Sequence, residues 1–165
     1  MKYSIVYSSR TGNTRQLAES IRSALGLEHL AYYGTASEKA LEADRIYVGF
    51  WTDKGCCDEE TAAFLAKLED KEVFLFGTAG FGGMASYFEK ILECTKAKMH
   101  QSCRLVGSYM CQGKMPMSVR ERYVKMKESE KAIPNLDMLI ANFDAALSHP
   151  DEADLEGVKK AVLIK

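Results

Sequence analysis

Four short runs that are apolar along their whole length, each followed by a polar loop, constrain this chain more than any other feature. Tyr3–Tyr7 is the first, and after it Leu17, Ile21 and Leu25 recur at helical spacing across Thr14–Leu25. Gly26 ends that pattern, as a helix C-cap does. Arg45–Phe50 is followed by the loop Trp51–Cys57 and a helical stretch, Asp58–Leu68, with an acidic first turn. Glu72–Gly77 leads into the glycine-rich loop Thr78–Gly83 and the helical stretch Met84–Thr95. Arg104–Met110 is the fourth run, and a weaker strand over about 28–32 makes five. Strands with no polar face must be covered on both sides, which is the condition of a parallel sheet between helices. With right-handed crossovers, the expected fold is a doubly wound α/β sandwich around a five-stranded parallel sheet.

The last third of the chain has a different rhythm. Pro116, Pro134 and Pro150 punctuate three helical stretches near 118–131, 135–147 and 151–163, with no further strand. One of these helices is expected to close the sandwich and the others to pack on its rim. The whole of 1–165 is therefore read as a single domain, with a core over about 1–112 and a helical segment over about 113–165.

A chain of 165 residues buries enough surface to fold without metal or disulfide staples. Its 22 basic and 23 acidic side chains leave a net charge of -1, which argues against a protein built to grip nucleic acid or anionic membrane. No apolar run approaches the roughly 20 residues of a membrane span. The N-terminus turns polar after Tyr7, too early for the apolar stretch of a secretory signal. With five cysteines, an odd number, the expectation is a cytoplasmic protein with reduced thiols. Adjacent Cys56 and Cys57 read as small loop residues, and Cys94, Cys103 and Cys111 as core. His29, His100 and His149 show no ligand spacing, so neither a metal site nor a catalytic histidine pairing is expected.

In an open parallel sheet, ligands sit beyond the carboxyl ends of the strands. The loop after the first strand reads Ser8-Ser9-Arg10-Thr11-Gly12-Asn13-Thr14 and opens directly into a helix. Hydroxyls, an amide and a glycine at a helix N-terminus form an anion site, because backbone N–H groups and the helix dipole face the ligand. It contains no lysine, so it is not the nucleotide-binding loop G-x-x-x-x-G-K-[ST]. Such a donor set suits one terminal phosphate monoester. At this point the chain resembles the flavodoxin family, whose phosphate loop follows the pattern [ST]-x-[ST]-G-x-T. The match runs from Ser9 to Thr14, and the wider resemblance covers roughly residues 1 to 112. It implies strand order 2-1-3-4-5 and a bound FMN whose phosphate rests in this loop, with Ser9, Thr11, Gly12, Asn13 and Thr14 as the matching positions; Arg10, inside the same loop, is a further cofactor-binding candidate.

The resemblance also implies two loops that flank the flavin ring, a flat apolar system that stacks on aromatic side chains. Thr78-Ala79-Gly80-Phe81-Gly82-Gly83 looks like one, with Phe81 as the stacking residue and the glycines admitting backbone close to the ring. Phe50-Trp51-Thr52-Asp53, with Gly55 beyond it, looks like the other. Trp51 lies nearer the strand end than the usual stacking position. Gly55 resembles the glycine whose peptide bonds the reduced ring. The loop Cys111–Met117 either contacts or guards the flavin's pyrimidine end or, the favoured reading, fills space beneath the C-terminal helices, and Arg120–Lys131 is expected to be a solvated helix face.

The expected function is non-covalent FMN binding and electron transfer between cytosolic redox partners, a reductase and an acceptor. Nucleic acid and membrane are not expected as partners, and no side chain is expected to act as a catalytic acid or base. Two alternatives are an FMN-dependent NAD(P)H reductase of a small quinone or nitro compound, and a binding module that has lost the flavin.

Overall fold

The computed structural model describes residues 1–82, 84–129 and 134–164. The elements, in chain order, are β1 (Tyr3–Tyr7), α1 (Asn13–Leu25), β2 (Leu30–Gly34), a 3-10 turn (Glu38–Glu42), β3 (Arg45–Asp53) and β4 (Cys56–Cys57). They continue with α2 (Glu59–Lys67), β5 (Glu72–Ala79), α3 (Ala85–Lys96), β6 (Arg104–Gln112), α4 (Met117–Glu128), α5 (Leu136–Ala146) and α6 (Glu152–Leu163). Five strands form a parallel sheet in the order β2-β1-β3-β5-β6, and β4 pairs antiparallel with the end of β3. Without the two-residue β4, this is the expected 2-1-3-4-5 arrangement. The weak strand falls two residues later than the sequence suggests. Leu30 N donates to the Leu27 carbonyl at 3.3 Å and closes a turn first, while Tyr3 N donates to the His29 carbonyl at 2.9 Å.

Alternate side chains of each strand enter opposite cores. Val48, Phe50, Val73 and Leu75 meet Phe64, Leu65 and Ile91 of α2 and α3 on one face. Ile5, Tyr47, Phe74 and Phe76 meet Leu17, Ile21, Val158 and Val162 of α1 and α6 on the other. Of the C-terminal helices, α6 packs against α1 and β6 and completes this second layer, whereas α4 and α5 pack on each other at the rim. Helix α4 buries none of its residues. It ends at Glu128, and residues 130 and 131 of the expected helix lie outside the described residues.

At the centre of the sheet Gly49 is in register with Phe76 and Phe50 with Gly77. Each ring lies where a Cβ on the opposite glycine would have to go. This crossed pair sits at the point where β3 and β5 run out into the functional loops.

Candidate functional site

Residues of β1, β3, β5 and β6 bring their carboxyl-end loops to one edge of the sheet. Ser9, Arg10, Thr11, Asn13, Thr14, Trp51, Thr52, Thr78, Ala79 and Gly80 line a single cavity of about 170 Å³ there. Ten of the residues singled out in sequence therefore share one wall system. Gly113, Lys114, Met115, Pro116 and Val119 supply the remaining wall.

The β1–α1 loop owes its shape to Gly12, which takes the left-handed conformation at φ 87° directly before α1. The first N–H groups of a helix have no partner within it, so they are free to face an anion. The hydroxyls of the loop have distinct tasks. Ser9 Oγ accepts from Arg15 N at 3.3 Å. Thr11 Oγ1 is 3.5 Å from the Lys114 carbonyl, a weak contact that leaves it available to a ligand. Thr14 Oγ1 is buried, donates to the Phe50 carbonyl at 3.0 Å and lies 3.2 Å from Thr78 Oγ1. Thr52 Oγ1 donates to the Thr78 carbonyl at 2.8 Å. These bonds tie the ends of β3 and β5 to α1 and make the floor of the cavity.

Two cations stand over that floor. The Arg10 guanidinium lies 5.4 Å from the centroid of the Trp51 ring, a cation–π contact that fixes both side chains. Lys114, from the segment just past the end of β6, lines the same cavity and is its second cationic residue. Its backbone is held on two sides: Asn13 Nδ2 donates to its carbonyl at 2.8 Å, and its N–H donates to the His149 carbonyl at 3.0 Å. Asn13 Oδ1 is buried without a hydrogen-bond partner. The donor set fits a phosphate, and the orphaned amide oxygen adds an acceptor suited to a sugar hydroxyl.

Several expected contributors stand elsewhere. Phe50 is a correction: its side chain is fully buried in the core against Gly77, and only its carbonyl faces this network. Phe81 is 38% exposed and packs edge-on against Tyr87 at 6.4 Å, outside the cavity wall. Gly80 does line it, and its carbonyl accepts from Gln112 Nε2 at 3.0 Å and Asn142 Nδ2 at 3.1 Å. An added Cβ on Gly82 would meet Gln112 Oε1 at 2.5 Å. Gly83 lies outside the described residues. Asp53 and Gly55 belong to the β3–β4 hairpin, whose turn residues Lys54 and Gly55 both have positive φ, 51° and 80°. That pair of conformations matches the right-handed twist of the strands.

The loop after β6 was expected to be filler and instead forms a wall, a second correction. Nothing in the local sequence marks Lys114 as facing the β1 loop, because the two are brought together only by the sheet order. The cysteines give a third. Cys56 and Cys94 are joined as a disulfide, with Cα atoms 5.5 Å apart, while Cys57, Cys103 and Cys111 are free. The hairpin turns Cys56 toward α3, a juxtaposition that spacing along the chain does not announce. Burial pushes the Cys57 thiol above its ordinary pKa, and burial does the same to Cys111.

Among the described residues one cluster offers three metal-type ligands, His149, Asp151 and Asp154. Its bonds are internal: Asp154 Oδ2 accepts from Asp151 N at 2.8 Å and lies 2.6 Å from His149 Nδ1, while Asp151 Oδ1 accepts from Asp154 N at 2.9 Å. This is the capping box of α6.

A flavodoxin-domain family model matches residues 4–163. The chain is 40% identical over 172 residues to the flavodoxin-like domain-containing protein BilS of Clostridium symbiosum (strain WAL-14163), covering 94% of this chain and 90% of that protein. It is 30% identical over 162 residues to the BilS protein of Clostridioides difficile (strain CD3), with the same two coverages, 94% and 90%. Among solved structures, the flavodoxin of Streptococcus pneumonia TIGR4 superposes with a TM-score of 0.53 at 18% identity, covering 88% of this chain and 99% of that one. A flavoprotein from Lactobacillus acidophilus NCFM, solved in complex with FMN, gives 0.51 at 16% identity, covering 66% and 92%. At these identities the two structures support the fold. No helix among the described residues is long and apolar enough to cross a membrane.

Proposed function

The chain belongs to the flavodoxin-domain family, and from that premise we propose that it binds FMN in the cavity at the carboxyl edge of its sheet and passes electrons between redox partner proteins. Bound FMN supplies the redox chemistry. The protein's part is to hold the phosphate, orient the ring and limit water. In this reading the start of α1, Thr11 and the Arg10 and Lys114 cations receive the phosphate. Asn13 Oδ1 takes a sugar hydroxyl, and Trp51 and Thr52 border the ring on the β3 side. The 113–116 wall supports counting the C-terminal segment in the same unit as the 1–112 core.

The observation that carries the reading is the size and make-up of the cavity. At about 170 Å³ it is smaller than the roughly 300–1,000 Å³ pockets that enclose drug-sized ligands. It has room for phosphate and sugar but does not enclose a whole flavin nucleotide with a second substrate. The rest of a flavin nucleotide then lies at the open edge of the sheet, and an electron carrier needs its cofactor edge within reach of other proteins. The visible spectrum of the purified protein tests it. A bound flavin that dithionite bleaches and NADPH alone does not is the expected result. Direct bleaching by NADH or NADPH would convert the reading to a reductase, and a protein that takes up no FMN would remove it.

A further inference from the structure

We propose that Cys56 and Cys94 form a reversible thiol–disulfide centre, distinct from the FMN cavity, whose oxidised form ties the loop bordering that cavity to the helix layer. The bond joins residues 38 apart in sequence, one in β4 and the other in the third turn of α3. Strand β4 meets β3 in two residue pairs, Thr52 with Cys57 and Asp53 with Cys56, and is otherwise held by the buried Cys57 side chain and by the Asp58 N–H, which donates to the Trp51 carbonyl at 3.1 Å. Isolated hairpins of that length are marginal in water. Lys54 also occupies a left-handed conformation that a residue with a Cβ adopts at some cost. The covalent tie adds to these few contacts, and losing it loosens the tip of the 52–57 segment. Thr52 sits at the root of this hairpin and in the cavity wall, so the state of the bond reaches the site.

Both bonded cysteines are partly exposed, as is the free Cys103, whereas the free thiols of Cys57 and Cys111 are buried. A thiol reagent arriving from solvent thus reaches the bonded pair ahead of those two. The reductant is a dithiol, small or carried on a protein. Its thiolate attacks Cys56 Sγ, the Cys56–Cys94 bond breaks, and Cys94 Sγ leaves as a thiolate that takes a proton. The second thiol of the reductant then displaces Cys56 Sγ from the mixed disulfide. Two electrons and two protons have moved to the pair, and the reductant departs as a disulfide.

The test uses the full chain, oxidised in air or treated with dithiothreitol. Tryptic cleavage after Lys54 reports hairpin opening without reference to the flavin. It is expected to accelerate at least tenfold on reduction, to be fast already in C56S and C94S, and to behave as wild type in C57S. The effect on the cavity rests on the FMN reading, and there FMN is expected to bind about tenfold more weakly to the reduced protein. Faster cleavage with no FMN uptake in either state would sink the FMN reading and leave the thiol centre standing. An unbridged Cys56 and Cys94 in the air-oxidised peptide map, or equal cleavage at Lys54 in both states, overturns the thiol centre. Reduction of the wild-type chain keeps the measurement available if a serine variant does not fold.

Discussion

The Asn13 side chain, at the first residue of α1, donates to the Lys114 carbonyl at 2.8 Å and so fastens the loop after the last strand to the loop after the first. Replacing it severs a bond across 101 residues of chain. N13A is expected to lose about 0.5–1.5 kcal/mol of stability and, because Lys114 then keeps only its bond to the His149 carbonyl and a weak contact with Thr11, roughly tenfold in FMN affinity. N13D keeps the shape, loses the donor and adds a charge that repels phosphate, so its FMN loss is expected to be larger still. Denaturant unfolding and FMN fluorescence titration separate the two effects.

Thr11 and Thr14 belong to the same loop motif and are expected to behave differently. The Thr14 hydroxyl is an internal strut, so T14V should cost about 1–3 kcal/mol of stability and weaken FMN and riboflavin alike. The Thr11 hydroxyl has only a weak protein contact. T11V should leave unfolding within about 0.5 kcal/mol of wild type, lower FMN affinity about tenfold, and spare riboflavin, which has no phosphate. Equal losses of both ligands in T11V would show that the loop does not receive phosphate.

Of the two aromatics expected at the ring, Trp51 lines the cavity and Phe81 does not. W51A also removes the platform under Arg10. It is expected to weaken FMN at least tenfold, against less than about threefold for F81A, with aromatic contact itself contributing roughly 0.5–1.5 kcal/mol beyond its buried area. The reverse ranking in titrations of the two variants would return the stacking role to Phe81.

If FMN occupies the proposed cavity, Arg10 and Lys114 in its wall put positive charge near a group that gains negative charge on reduction. R10Q and K114Q should each shift the midpoint potential of bound FMN to more negative values. The shift should shrink between about 0.01 M and 1 M salt, as the screening length falls from roughly 30 Å to 3 Å. Spectroelectrochemistry at the two salt concentrations decides it.

Away from the site, Glu72 bonds to Arg45 at 2.6 Å and also to Arg104. The Arg45 hydrogen bond leads in holding the Glu72 carboxyl below its ordinary value of 4.5. The unfolded chain therefore takes up this proton at a higher pH than the native one. The pair stabilises above about pH 4.5, and that contribution fades as pH falls through the lower native value. E72Q should be less stable than wild type at pH 7 and lose part of its acid-side slope, read from melting temperatures between pH 7 and 3.

The strands and the β1–α1 loop were legible because their signals are local: apolar runs bounded by turns, and Gly12 placed where a helix begins. Phe50 was misread for the opposite reason. It closes the apolar run and borders the loop in sequence, and only the register with Gly77 shows that its ring turns inward. Lys114 and the Cys56–Cys94 bond depend on which strands lie side by side and which way a two-residue hairpin faces. No window of sequence contains that information. Even Thr11 and Thr14, correctly placed in the loop, could be told apart only by their partners.

The crossed rings of Phe50 and Phe76 over Gly77 and Gly49 bear on how this protein can change over time. Any other residue at either glycine would displace a ring, and a one-residue slip of β3 against β5 would send each ring to the wrong core. The foundation under the cavity thus has one workable arrangement. The overhanging segments 51–57, 80–82 and 113–116 carry no such crossed rings, so change there leaves this arrangement of the sheet in place.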